Sequence, residues 1–472
     1  MWVLNEDRNQ FDKEQTQFLK TILNLRFFQP WLDGNRDAGS MHHDANLEIY
    51  ITSVCNQSCE YCYLINNEGL YPKDCLDPKL ILHNLRLLYD WILEKGYQIP
   101  KCEFFTGEIW HSQFGLDVLE VTLEYIKKGL PVGWWMIASN CSFLLNEDQT
   151  CKIQHYINEF KKYGTSLVFS ISVDGQPIES VRPLNNGTER TDAYYERMFL
   201  FAKHNGFKFH PMVAAKTAHK WIENHQWWEK HLKEWDMSIE ELMMLEVRNP
   251  DWTDESIYHY LRFLKYLIDK YIREHCDGDM KTFTHHLMCT RLAGEQTTVS
   301  GYIPWCFPET DNFIGCTCST DLTIRLGDLA IAPCHRTAYN KYLYGKFVVE
   351  DDKIVDIEAN NPQMACKVLM SNFNLASFGC DTCTYNEYCL KGCYGTQYEE
   401  QGDPFIPVPS VCHYFNEKLS FLLGYYEQLG VIAYLKTFTP LEQAYPRIRK
   451  FLNFYDNWKS KEGKYYVVPE LD

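Results

Sequence analysis

Apolar and polar residues alternate with period two over Leu47 to Thr52, where Leu47, Ile49 and Ile51 are interleaved with Glu48, Tyr50 and Thr52. That is the pattern of a strand. The same reading predicts strands over Cys102 to Thr106, Trp134 to Ser139, Leu167 to Asp174, Lys208 to Ala214 and Leu242 to Val247. Helical patterns separate them. Asp77-Pro78 caps a helix whose apolar positions continue to Leu93 before Gly96, and further helices are expected over 115–128, 149–162, 192–204, 220–235 and 253–275. Strands alternating with helices predict an α/β fold, a parallel sheet with helices outside it. Strands buried on both faces read as continuous apolar runs. The polar positions Glu48, Tyr50, Ser170, Ser172 and Asp174 are therefore expected to face a solvated lumen. In β/α barrels the chemistry sits at the C-terminal strand ends and on the loops that follow.

Composition narrows the class. A chain of 472 residues should hold two or three domains. Hydrophobic content of 45% and charged content of 23% are those of an ordinary globular protein. A net charge of −17 argues against a grip on phosphate backbones or docking on anionic lipid, so neither nucleic acid nor membrane is expected as a partner. No signal peptide and no apolar run of spanning length is visible, and the expected location is cytoplasmic. Nineteen cysteines in such a protein point to metal or redox chemistry in place of a disulfide framework.

The first group of these cysteines lies on one tight loop after the first strand: Cys55, Cys59 and Cys62, with Tyr61 before the last. A zinc knuckle or plain buried thiols is the alternative, but structural zinc wants four ligands, and the next cysteine is Cys75. CxxxCxxC in this position resembles the radical S-adenosylmethionine (SAM) superfamily. The resemblance implies a [4Fe–4S] cluster with one iron left open for SAM, reductive cleavage to a 5′-deoxyadenosyl radical, and a partial (β/α)6 barrel of the TIM type.

Further stretches match family motifs at the strand ends. Thr106-Gly107-Glu108 stands where relatives carry a Gly-Gly-Glu turn for the SAM amino group, with Thr106 departing from the pattern. Taken alone, Gly107-Glu108 reads as an ordinary turn. Ser139-Asn140-Cys141 resembles a Thr-Asn-Gly segment, and Ser172-Val173-Asp174-Gly175 a Ser-x-Asp-Gly one, which would put Ser172 and Asp174 near the ribose or substrate. Arg182 would hold the SAM carboxylate or form a surface salt bridge, and Tyr61 would stack near adenine or pack the loop. SAM-binding candidates are thus Tyr61, Gly107, Glu108, Ser139, Asn140, Ser172 and Arg182, with Asp174 a catalytic candidate.

A second cysteine field, Cys380, Cys383, Cys389, Cys393 and Cys412, has the spacing CxxCx5Cx3C with another cysteine beyond. Two zinc sites are the alternative reading. The pattern resembles the SPASM extension, which holds two auxiliary [4Fe–4S] clusters and would bring the total to three. The resemblance assigns Cys380, Cys383, Cys389 and Cys412 to an outer cluster. Cys393 would join Cys318 and Cys334 at an inner one, with Cys316 favoured over Cys306 as its fourth ligand. Relatives place a glycine five residues before the second inner ligand; here that position is Leu329, and Gly327 lies two residues earlier.

The expected organisation is an N-terminal extension over 1–45, the barrel over 46–278, the SPASM domain over 279–412 and a helical extension over 413–472. The resemblance implies hydrogen abstraction from a peptide or protein substrate, leading to a cross-link, thioether, oxidation or epimerisation, as in ribosomal peptide maturation. A radical SAM enzyme acting on a small molecule is the alternative. A sulfatase-maturing oxidase fits less well, because relatives of that kind carry an aspartate base where this chain has His335, a second catalytic candidate. Partners implied are a reductant such as flavodoxin or ferredoxin and a peptide substrate. Residues 1–45 are too short for a leader-binding module, so either a separate leader-peptide-binding protein presents the substrate or the terminal segments recognise it.

Overall fold

The structure is a computed structural model that describes residues 6–34, 46–67, 69–70, 77–105, 107–111, 114–292, 321–339, 343–360, 379–380, 382–389, 392–437 and 446–462. The chain divides into two compact units. One comprises Met1–Val173, Ser180–Phe209 and Thr317–Leu375, the other Asp174–Glu179, His210–Cys316 and Ala376–Asp472.

The first unit is built on strands β1 (Asn46–Tyr50), β2 (Ile99–Phe105), β3 (Val132–Ser139) and β4 (Leu167–Ile171), all parallel in that spatial order. The helix Pro78–Lys95 shows why the connections form. The Asp77 carboxylate accepts from the Lys79 N–H at 2.9 Å, Pro78 presets the first turn, and Gly96 ends the helix at φ +70°. Ile81, Leu85, Leu88 and Ile92 repeat at helical spacing and are buried. Past β4 a parallel bridge joins Ile171 to Phe209.

On its other edge β1 pairs in parallel with a fragment from far along the chain, labelled β7 (Asp321–Arg325), and β7 continues antiparallel through β8 (Ala330–Ala332), β9 (Gly345–Glu350) and β10 (Lys353–Ala359). The second unit holds the short parallel pair β5 (Met212–Val213) and β6 (Leu245–Glu246) with the helices Trp221–Glu234, Asp254–His275 and Pro409–Gln428. The fold is thus α/β, with a parallel sheet and a later antiparallel region.

The N-terminal segment packs within the first unit, and one expectation about the strands changes. Residues 6–33 are helical almost throughout, and their apolar side is spent on packing. Phe28 stacks on Tyr97 with ring centres 5.5 Å apart and meets Trp91 edge-on, Trp91 meets Phe347, and Lys20 pairs with Asp356 on β10 at 2.6 Å. The polar strand positions do not face solvent: Glu48, Tyr50, Ser170 and Asp174 are all buried, and Ser172 is half-buried. Protein groups meet the carboxylates of Glu48 and Asp174 where water was expected.

Candidate functional site

The cysteine loop leaves β1 and turns back on itself where the Cys62 N–H donates to the Cys59 carbonyl at 3.0 Å, just before the short helix Tyr63–Asn66. Cys59 is buried and Cys55 and Cys62 are half-buried. Burial pushes the Cys55 thiol up to about 12, with nearby Glu108 and the charges of Cys59 and Cys62 adding to it. Cys62 is raised by burial against the pull of Arg182 and Arg336. The three thiols are therefore within electrostatic reach of one another. As thiolates Cys55 and Cys62 are disfavoured unless a cation offsets their charge, which an iron cluster would do.

Around this loop the structure gathers most of the expected pocket residues. Gly107 takes φ +57°, and a Cβ there would lie 2.3 Å from the Val54 carbonyl oxygen, so the turn requires glycine. The next residue, Glu108, is buried and ties two strand ends together. Its carboxylate accepts from the Ser139 hydroxyl at 3.1 Å and from the Asn140 N–H at 2.7 Å. Burial outweighs these bonds and raises its pKa to about 7. Asn140 Nδ2 donates to Asn56 Oδ1 at 2.8 Å, linking the third strand end to the cysteine loop. Cys141, where relatives carry glycine, is buried at φ +55°.

Arg182 is 4% exposed, which excludes the surface salt bridge. Its guanidinium acts electrostatically on Cys62, Glu108 and Cys141. The Ser172 N–H donates to the Ser139 carbonyl at 2.8 Å, and Tyr61 is half-buried on the loop. Thr106 lies outside the described residues.

Asp174 belongs to the second unit and serves architecture there. Its carboxylate accepts from the Met212 N–H at 2.8 Å, and its carbonyl accepts from Asn224 Nδ2 and Trp228 Nε1. Fully buried, it fixes the start of β5.

His335 is held by a residue whose role the alternation pattern did not reveal. Glu48 on β1 accepts from the His335 backbone N–H at 3.0 Å, pairs with Nδ1 at 3.1 Å, and accepts from the Thr323 hydroxyl. Phe105 stacks on the imidazole with centres 3.9 Å apart. Burial disfavours the imidazolium, but Glu48 outweighs it and brings the pKa up to about 9. A value raised that far favours the protonated ring at pH 7, with Nδ1–H donating to Glu48. Beside it Cys334 is buried, with Sγ 3.4 Å from the Thr337 hydroxyl. Leu329 adopts φ +53°, the left-handed conformation that a glycine at this position would take without strain. Cys306, Cys316 and Cys318 lie outside the described residues.

In the second unit Cys380, Cys383, Cys389, Cys393 and Cys412 line one pocket. Cys412 sits in the first turn of Pro409–Gln428, and Cys393 caps the helix Tyr394–Gln401. Burial first, and then the charges of Cys389, Cys380 and Cys383, together raise the Cys412 thiol to about 11. Those four feel one another, which fits a four-thiolate cluster. Among the described residues no three His, Cys, Asp or Glu side chains converge on a single-ion site; in a cluster each thiolate takes its own iron.

No protein-family model matches the chain, and no curated protein matches it by sequence. Solved structures do. Native anSMEcpe with bound AdoMet superposes with a TM-score of 0.52 at 16% identity, over 86% of this chain and 99% of that one. The same protein with AdoMet and the Cp18Cys peptide gives 0.49 at 17% identity over 86% and 99%. SuiB of Streptococcus suis bound to S-adenosylmethionine gives 0.41 at 15% identity, over 78% of this chain and 77% of that one. The fold assignment rests on the first: the chain shares the fold of the AdoMet-bound anSMEcpe structure over most of its length.

Proposed function

We propose that this chain is a radical SAM enzyme of the SPASM type that modifies a peptide or protein substrate. The observation that carries the reading is the set Cys55, Cys59 and Cys62 at the end of β1, with Glu108, Ser139, Asn140 and Arg182 gathered around it, in a fold shared with an AdoMet-bound protein. A [4Fe–4S] cluster on those three thiols, with SAM on its open iron, would supply a 5′-deoxyadenosyl radical that abstracts hydrogen from the substrate. The chain's own residues bind and orient. Glu108, anchored by Ser139 and Asn140, offers a carboxylate to an ammonium, and buried Arg182 a guanidinium to a carboxylate. His335, fixed by Glu48 and Phe105, holds a proton at neutral pH.

The four thiols Cys380, Cys383, Cys389 and Cys412 would hold a second cluster. Closed coordination suits electron transfer. The cysteine pattern of the second unit supports a peptide or protein substrate, through its likeness to the SPASM extension.

The test is anaerobic reconstitution with iron and sulfide, reduction in the presence of SAM, and chromatography for 5′-deoxyadenosine. The wild type should produce it. Replacing Cys55, Cys59 and Cys62 together by alanine should abolish production and leave about eight of about twelve irons. Intact clusters with no 5′-deoxyadenosine would sink the reading. Mass spectrometry of a co-expressed candidate peptide would then identify the bond formed.

A further inference from the structure

The cysteine loop carries a second chain segment along its length. The Ser58 N–H donates to the Pro183 carbonyl at 3.0 Å, the Glu60 N–H to Val181 at 2.9 Å, and the Asn185 N–H to Asn56 at 2.9 Å. Gln57 pairs antiparallel with Leu184 between them. Side chains lock the same register. Asn185 Nδ2 donates to the Cys55 carbonyl at 3.1 Å, and the Ser58 hydroxyl donates to Asn185 Oδ1 at 2.6 Å. Buried Gln57 donates from Nε2 to the Arg182 carbonyl at 3.0 Å and accepts from Arg182 Nη2 at 3.4 Å. Pro183 has no N–H to return to the loop, and the Asn185 side chain continues the ladder past its backbone end.

We propose that residues 181–185 form a positioning strap that holds the cysteine loop in its cluster-accepting conformation before iron arrives, with Gln57, Ser58 and Asn185 as positioning residues. The identity of what the loop accepts rests on the functional reading above; the strap does not. All of these bonds join backbone, amide, hydroxyl and guanidinium groups, so they stand without a metal. A metal site that must be ordered on binding charges that ordering to affinity, whereas a loop already held in register meets iron with its thiols in place. Ser58 and Glu60 are exposed residues, so slow exchange at their amides would come from the strap and not from burial.

Hydrogen exchange on the metal-free full-length chain tests this directly. The Ser58, Glu60 and Asn185 amides should be protected in the wild type. In the pair S58A/N185A they should exchange at least about tenfold faster, while β1 and β2 stay protected. On anaerobic addition of iron and sulfide, that variant should take up its loop cluster several-fold more slowly and lose it to a chelator several-fold faster. S58T, which keeps the hydroxyl donor, should behave as wild type, and N185A alone should lie between. Unprotected amides in the metal-free wild type would overturn the strap. So would iron uptake and loss at wild-type rates in S58A/N185A once protection is gone. If no version binds iron at the loop the functional reading falls, and the exchange comparison still decides the strap.

Discussion

Glu48 and His335 reverse each other's expected behaviour. Burial alone would lower the imidazolium's pKa and raise the carboxylate's; the contact between them outweighs it, so Glu48 lies below its ordinary value and His335 at about 9. Because the folded value for His335 exceeds its ordinary 6.5, the stability from its protonation is fully present below about pH 6.5 and lost as pH rises through about 9, whereas that from Glu48, whose value is lowered, is lost as pH falls through its folded value. An NMR titration of the metal-free protein should show a His335 midpoint near 9, and E48Q should bring it back towards the ordinary value. A midpoint unchanged by E48Q would contradict the assignment. Gly107 gives a steric prediction. With φ +57° and a Cβ position 2.3 Å from the Val54 carbonyl, G107A should lose about 1–3 kcal/mol of stability in denaturant unfolding. The glycine was legible in the sequence; its reason, the approach of Val54, was not. Glu48 was legible only as a polar strand position, because its partner lies 287 residues away.

Among the elements, the longer strands β1 to β4 and their helices followed from periodicity and caps. The last two expected strands shrink to Met212–Val213 and Leu245–Glu246. A short paired segment buries too few residues to impose a pattern on the sequence around it. The helix Pro409–Gln428 shows a bond that periodicity does not reveal. Lys418, whose side chain is 3% exposed, pairs with Glu246 on β6, to which Tyr260 also donates. Removing one partner leaves a buried charge, so K418M should cost about 3–5 kcal/mol in urea unfolding, and K418M/E246L should recover most of it. An additive double variant would show the two charges to be uncoupled. Leu329 teaches the same lesson in a turn. Nothing in its side chain announces φ +53°; the hairpin of β7 and β8 imposes it.

For the whole molecule, the loop thiols fall within the first unit and the four outer thiols within the second. Metal binding to a folded site stabilises by linkage. Replacing Cys380, Cys383, Cys389 and Cys412 by alanine should therefore lower the melting temperature of the reconstituted protein by several degrees, with far less effect on the metal-free chain, as read by calorimetry under argon. Equal losses in both states would mean that the thiols serve packing alone. No helix among the described residues is long and apolar enough to cross a membrane. By itself the sequence determined the alternation of strands and helices, the two cysteine fields and the glycine turn, because periodicity, spacing and backbone freedom are local properties of a chain. Only the tertiary structure decided that Glu48 holds His335, that Arg182 is buried beside the loop, that Asp174 anchors a strand and that residues 181–185 strap the cysteines. Each of those depends on which distant residue arrives opposite, and hydrogen bonding and burial are settled by that encounter.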